Sequence, residues 1–266
     1  MDQDIRFRFG LTPLEQVRPW GRGDRPVLHW FGLTDGWYVI DLGEHELLRY
    51  SEGTVRRLRG GGDGEGAGPS HPYADYYVVR LWEDLLALLP AALEPVPEDL
   101  AGFVARDSSD WHWEDTPQID AAVGWHSDRD LNTGYLRVAP DIRCWRTVAG
   151  ERDVMHVSWA HRSDPEDEIE FAAPDTGRVT VPTSAFVAAV GELDRALLEA
   201  MEQRIGELEA AGPPPGVELD LEQLRREHRD RAGWLRRARE YEYATDWAAV
   251  RAGAAALLRS PGEDCG

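Results

Sequence analysis

Apolar and polar residues alternate with a period of two along IRFRF, Ile5 to Phe9, the spacing of a strand that buries one face. VLHWF (Val27 to Phe31) and GWYVIDLG (Gly36 to Gly43) are aromatic and β-branched and predict two further strands. HELLRYS, His45 to Ser51, follows a Gly-Glu pair, so a hairpin is expected there. The next stretch, GGGDGEGAGPSHP from Gly60 to Pro72, is too polar and glycine-rich to pack and predicts a mobile loop. The period then changes. Tyr77, Leu81, Leu85, Leu88 and Leu89 share one face of a helix that Pro90 is expected to end or kink. Pro97 to Arg106 offers a shorter helix, with proline and acidic residues in its first turn.

The second half restarts the pattern. GYLRVAP, DIRCWRT, DVMHVSWA, EIEFAAP and GRVTVP are strand candidates, with connections short enough for an antiparallel meander. A long helix is expected from Thr183-Ser184, either of which is a candidate cap, with Phe186, Val190, Leu193, Leu197, Met201, Ile205 and Leu208 as its apolar stripe. AGPPPG, Ala211 to Gly216, stops it, and a helical stretch LEQLRREHRDRAGWLRRAREYEY leads to an Ala-rich tail. These elements predict an α+β fold, mostly antiparallel sheet in two sheet-plus-long-helix halves with a helical C-terminus. The halves are residues 1–107 and 108–212, the helical segment is 213–266, and all three are compatible with one compact domain. GWYVIDLGEHELLRY and TGYLRVAPDIRCWRT align loosely, a weak sign of duplication.

Composition narrows the functional classes. The chain has 266 residues, 42% of them apolar, enough for a real core, and a formal net charge of −20. Phosphate binding needs a basic footprint, so free nucleic acid is not an expected ligand. A basic protein partner drawn in by electrostatic steering fits the charge better. Every one of the 29 basic residues is arginine, which removes Schiff-base and P-loop lysines. Two cysteines, Cys144 and Cys265, cannot build a disulfide framework or a zinc ribbon, and Cys144 sits in an apolar strand pattern. No apolar run approaches the ~20 residues of a membrane span, and MDQDIRFRFG is no signal peptide. A cytoplasmic protein with no membrane contact and no cofactor is expected.

The candidate chemistry is sparse. His126 and Asp128 have the His-x-Asp spacing of an iron facial triad, with His156 or His161 as third ligand. Such triads sit in an eight-stranded roll with more strands between the ligands, so a charged turn leading into a strand is the favoured reading of Gly124 to Leu136. Of the 11 tryptophans, Trp111 and Trp113 lie in a polar stretch and are candidate surface anchors. Asp41, Glu44, His45 and Glu46 share a hairpin, with Asp141 in a comparable place, and read as a solvated tip. Asp164, Glu166, Asp167 and Glu168 form an acidic loop suited to an arginine- or lysine-rich partner. Arg225, Arg226, Arg229, Arg231, Arg236, Arg237 and Arg239 are expected to dock on the chain's own acidic surface. GxSxG, GxGxxG, Walker, HExxH and CxxC motifs are absent.

RPVLHWFGLTDGWYVIDLGEHELLRYS and LNTGYLRVAPDIRCWR, with DVMHVSW, resemble a group of uncharacterised actinobacterial proteins known only as a domain of unknown function. The likeness runs from IRFRFGLTPLEQVRPW to REHRDRAGWLRRA. It implies no activity and no catalytic residue, and in that family the position of His126 is not reliably histidine. The expectation is therefore an acidic, non-catalytic interaction protein, immunity- or antitoxin-like, that binds a basic protein through Trp111, Trp113 and the Asp164–Glu168 stretch. The alternative is an enzyme with a polar, metal-dependent pocket around His126, Asp128 and His156 or His161.

Overall fold

The computed structural model describes residues 4–21, 25–60, 71–113, 116–161 and 169–259. The fold is α+β, with two antiparallel four-stranded sheets among the described residues. In the first sheet, β1 (Ile5–Leu11) pairs with β2 (Gly36–Leu42) from Ile5 opposite Leu42 to Leu11 opposite Gly36. The hairpin to β3 (His45–Leu47) places Leu42 opposite His45. After α1 (Glu52–Gly60), the short β4 (Ala74–Asp75) joins the N-terminal end of β2. β2 is central, and Tyr38, Val39, Ile40 and Leu42 are buried.

α2 (Val78–Leu93) packs on both sheets and carries Leu81, Leu85, Leu88 and Leu89 into the core. A 3-10 turn at Glu98–Leu100 runs into α3 (Ala101–Val104), and α4 (Pro117–Ser127) precedes the second sheet. That sheet has the order β5 (Asp130–Leu131), β6 (Asp141–Ala149), β7 (Arg152–Ala160), β8 (Thr176–Pro182). Strand alternation sends Ile142, Cys144, Met155, Val157, Val179 and Val181 to one face, which shares the main core with the first sheet and α2. Trp145 points the other way, into a second core with Val96, Leu100, Phe103 and Val104. Cross-strand tryptophans fix the pairing in both sheets: Trp37 lies over Gly10 and Trp159 over Gly177, where a Cβ would meet the indoles at 2.5 Å and 2.1 Å.

α5 (Thr183–Ala211) closes the main core, and its whole predicted stripe from Phe186 to Leu208 is buried. Then follow α6 (Leu221–Arg231), α7 (Trp234–Glu240) and α8 (Trp247–Leu257). α8 crosses α4 so closely that a Cβ on Gly253 would stand 2.0 Å from the Gln118 carbonyl oxygen.

Several expectations fail for local reasons. Val27–Phe31 makes only single bridges at Val27, because the following residues close on themselves. Gly32 N donates to His29 Nδ1 at 3.0 Å and Thr34 Oγ1 to the Phe31 carbonyl at 2.7 Å, competing with a ladder. GYLRVAP is no strand either. Asn132 Oδ1 accepts from Gly134 N and Thr133 O from Leu136 N, and Tyr135 stacks on Tyr76 instead. In EIEFAAP, of which 169 onward is described, backbone bonds run to Arg49 and Ser51 rather than to a neighbouring strand. Pro90 does not end α2, which continues to Leu93 because Ala91 and Ala92 are buried and Arg146 donates to the Leu93 carbonyl at 3.1 Å. Neither Thr183 nor Ser184 caps α5; Pro182 holds the cap position. The expected loop at Gly60 to Pro72 lies almost entirely outside the described residues.

Candidate functional site

Trp20 and Val27 exchange backbone hydrogen bonds of 2.8 Å and 2.7 Å, and on the other side of Val27 the chain returns as Glu218. Leu28 N donates to the Glu218 carbonyl at 3.0 Å and Glu218 N to the Pro26 carbonyl at 2.8 Å. This clasp joins the N-terminal turn to the start of α6. Between them runs a groove of about 520 Å³, floored by Leu28, Trp30 and Leu224 and lined by Glu218, Asp220 and Glu227. Among the described residues no arginine lines it. Beside it Trp20 is 44% and Val27 37% exposed. Trp20 is held edge-on to His29 at 4.8 Å and donates its indole N–H to Tyr77 at 2.7 Å, so the exposed ring is fixed in place.

The groove carboxylates differ in how far the fold uses them. Asp220 caps α6 by accepting from Gln223 N at 2.8 Å. Glu227 accepts from Arg231, whose guanidinium lies 4.3 Å over Trp30 and also meets Glu83 at 2.6 Å. Glu218 contributes its backbone to the clasp and leaves its side chain exposed. His29 accepts from Gly32 N at Nδ1, and burial lowers its pKa, outweighing the pull of Glu227, so the ring is neutral near pH 7.

A family profile described only as a family of unknown function, DUF5984, matches residues 6–253. The chain belongs to this family. No curated protein and no solved structure matches this DUF5984 chain significantly.

The histidines and Asp128 go to separate places. His126 is not on a turn: it lies in the last turn of α4, 2% exposed, edge-on to Trp111 at 4.5 Å. Burial, aided by the positive charges of Arg143 and Arg129, pushes its pKa down to about 3. Asp128, one residue past the helix, accepts from the Tyr243 hydroxyl. His156 stands mid-strand on β7, stacked on Trp145 and held between Thr147 at 2.8 Å and Thr180 at 3.1 Å. His161 is buried edge-on to Phe171. Among the described residues no group of three or more His, Cys, Asp or Glu is placed to hold a metal.

Trp111 is packed inward rather than presented as an anchor, 7% exposed and stacked on Phe103 at 5.2 Å. Trp113 does face outward, at 58%. Asp164, Glu166, Asp167 and Glu168 lie outside the described residues. In the first hairpin Asp41 and Glu46 are not a solvated tip but a shared acceptor for Arg8, at 2.7 Å and 2.6 Å. Two of the seven C-terminal arginines dock on acids of other elements, Arg225 on Glu202 and Glu209 and Arg231 on Glu83, while Arg226, Arg236 and Arg237 pair locally with Glu222, Glu240 and Asp230. Sequence patterning misses Arg129, fully buried, donating to Glu94 at 2.9 Å and lying 4.0 Å over Trp125. It also misses α4 itself, although Thr116-Pro117 is a helix-start signature and Thr116 accepts from Ile119 N.

Proposed function

We propose that the protein is a non-catalytic interaction protein that takes a basic segment of a partner protein into the groove between Val27–Trp30 and the start of α6. The observation that carries this reading is a groove lined by three carboxylates, of which Glu227 is paired with Arg231 and Glu218 leaves its side chain exposed, flanked by the exposed ring of Trp20 that bonds Tyr77. A partner arginine matches that chemistry twice. Its guanidinium forms bidentate hydrogen bonds with carboxylates and stacks on an aromatic face. The net charge of −20 steers a basic partner to the surface, and tryptophan is a preferred anchor once it arrives. Trp113 and the Asp164–Glu168 stretch are further candidate contacts in the same reading. An immunity- or antitoxin-like role in the cytoplasm, neutralising a basic protein, is the biological setting this chemistry suits. Among the described residues no helix is long and apolar enough to cross a membrane.

The test is fluorescence anisotropy of a labelled oligoarginine peptide against three variants. Glu218→Arg and Trp20→Ala should each weaken binding by about tenfold, equivalent to ~1.4 kcal/mol. Glu151→Arg, with the same net charge as Glu218→Arg but on the β6–β7 turn, should leave it unchanged. Equal weakening by both charge reversals would mean diffuse attraction to an acidic surface and would sink the groove reading.

A further inference from the structure

The register of the second sheet sets four polar side chains in one row: Asp130 opposite Arg143, Arg143 opposite Ser158, Ser158 opposite Arg178. Alternation puts all four on the face turned away from the main core. A cleft of about 390 Å³ opens over this row, walled by the segment Ala105–Ser108 that follows α3. Arg143 builds the cleft. It holds Asp130 through Nε at 2.6 Å and Nη2 at 3.1 Å, and its Nη1 donates to the Arg106 carbonyl at 3.0 Å, tying the wall to the floor.

The other two arginines of the cleft are not used this way. Arg178 lies 6.0 Å from the Trp145 ring centroid, and neither it nor Arg106 has a carboxylate partner among the described residues. Both are exposed. In a chain carrying −20, whose arginines elsewhere repeatedly pair with acids, one cleft is thus lined by two guanidinium groups without a carboxylate partner among the described residues, Arg106 from the wall and Arg178 from the sheet, beside Ser158 on the same sheet. Such groups take oxyanions bidentately. Asp107, Asp130 and Asp141 line the same cleft, so a doubly charged phosphate or sulfate meets about twice the repulsion that a single carboxylate does.

We propose that this cleft binds a small organic carboxylate, its oxygens held by Arg178 from the sheet and Arg106 from the wall, with Ser158 donating a hydrogen bond. The site shares no residue with the acid-lined groove, so either can fail without the other. The probes are acetate, benzoate and inorganic phosphate, titrated into the full chain and followed by chemical-shift changes of the arginine side-chain N–H groups at constant ionic strength. At least one carboxylate should bind more tightly than phosphate. Arg178→Met should weaken it by about tenfold or more, the loss of one charge-assisted contact, and Arg106→Met should weaken it as well. Arg152→Met, an exposed arginine of β7 outside the cleft, should have no effect. Because Arg178 and Arg106 are exposed, unchanged thermal unfolding is expected for both variants. No carboxylate binding, tighter phosphate binding, or equal loss in Arg152→Met would each overturn the proposal.

Discussion

Arg231→Met is the most informative single perturbation of the C-terminal segment. The side chain is 8% exposed, and its guanidinium lies 4.3 Å, 4.6 Å and 5.7 Å from the ring centroids of Trp30, Trp234 and Trp82. It also donates to Glu83 at 2.6 Å and Glu227 at 2.9 Å. Methionine keeps most of the stem's packing and removes the charge. Stranding the partner of a buried ion pair costs about 3–5 kcal/mol, and removing each desolvated cation–π interaction adds ~0.5–2 kcal/mol. Two features reduce the total. Glu83 keeps Arg80 at 3.4 Å, and Glu227 is 32% exposed, so neither carboxylate is left wholly dry and alone. The net loss should therefore be about 3 kcal/mol, read as a lower urea midpoint at unchanged slope. Combining it with Glu83→Gln should recover part of the loss, with a coupling of ~1–3 kcal/mol. A single-variant loss under ~1 kcal/mol, the value of an exposed pair, would contradict this account. The C-terminal helices would then be held to α2 by the Trp82–Trp234 stack between α2 and α7 rather than by the ion pairs.

Two further outcomes follow from packing and titration. Gly253→Val should force α8 off α4 and cost ~1–3 kcal/mol with loss of amide protection in α8, whereas Gly206→Val, where a Cβ meets nothing within 4 Å, should be nearly neutral; equal effects would mean that α4 and α8 are not in close contact. His126 has its folded pKa depressed from 6.5 to about 3, so its contribution to stability is complete above pH 6.5 and is lost as pH falls toward 3. Wild type should therefore lose more stability than His126→Leu between pH 7 and pH 4.5, by up to ~1.4 kcal/mol per pH unit, and the subtraction removes the opposing contribution of Asp84, whose pKa burial raises to about 6; parallel losses would mean that the ring protonates in the folded protein.

What the sequence makes legible is whatever depends on neighbours along the chain. The α5 stripe, the β1–β2 alternation and the β6–β7 pair repeat a period over many residues, and burial selects the face that the period marks. Short elements are harder. Val27–Phe31 and GYLRVAP have strand composition, but side-chain bonds from His29, Thr34 and Asn132 satisfy the backbone locally. His126 looks exposed while its polar neighbours are taken for a turn, but the helix from Pro117 turns it toward Trp111 and Phe103. The candidate sites lie at the far end of this scale. The groove exists because Glu218 returns to Val27, and the cleft because three strand pairings align Asp130, Arg143, Ser158 and Arg178. Register is set by which face each strand buries, so Ile142, Val157 and Val179, all apolar and all facing the main core, are what bring those polar residues abreast on the other side. A one-residue slip at any of the three pairings would turn one strand's member of the row to the opposite face and dissolve the row. The polar site is thus specified by the hydrophobic residues behind it, and no motif search over the polar residues alone would have found it.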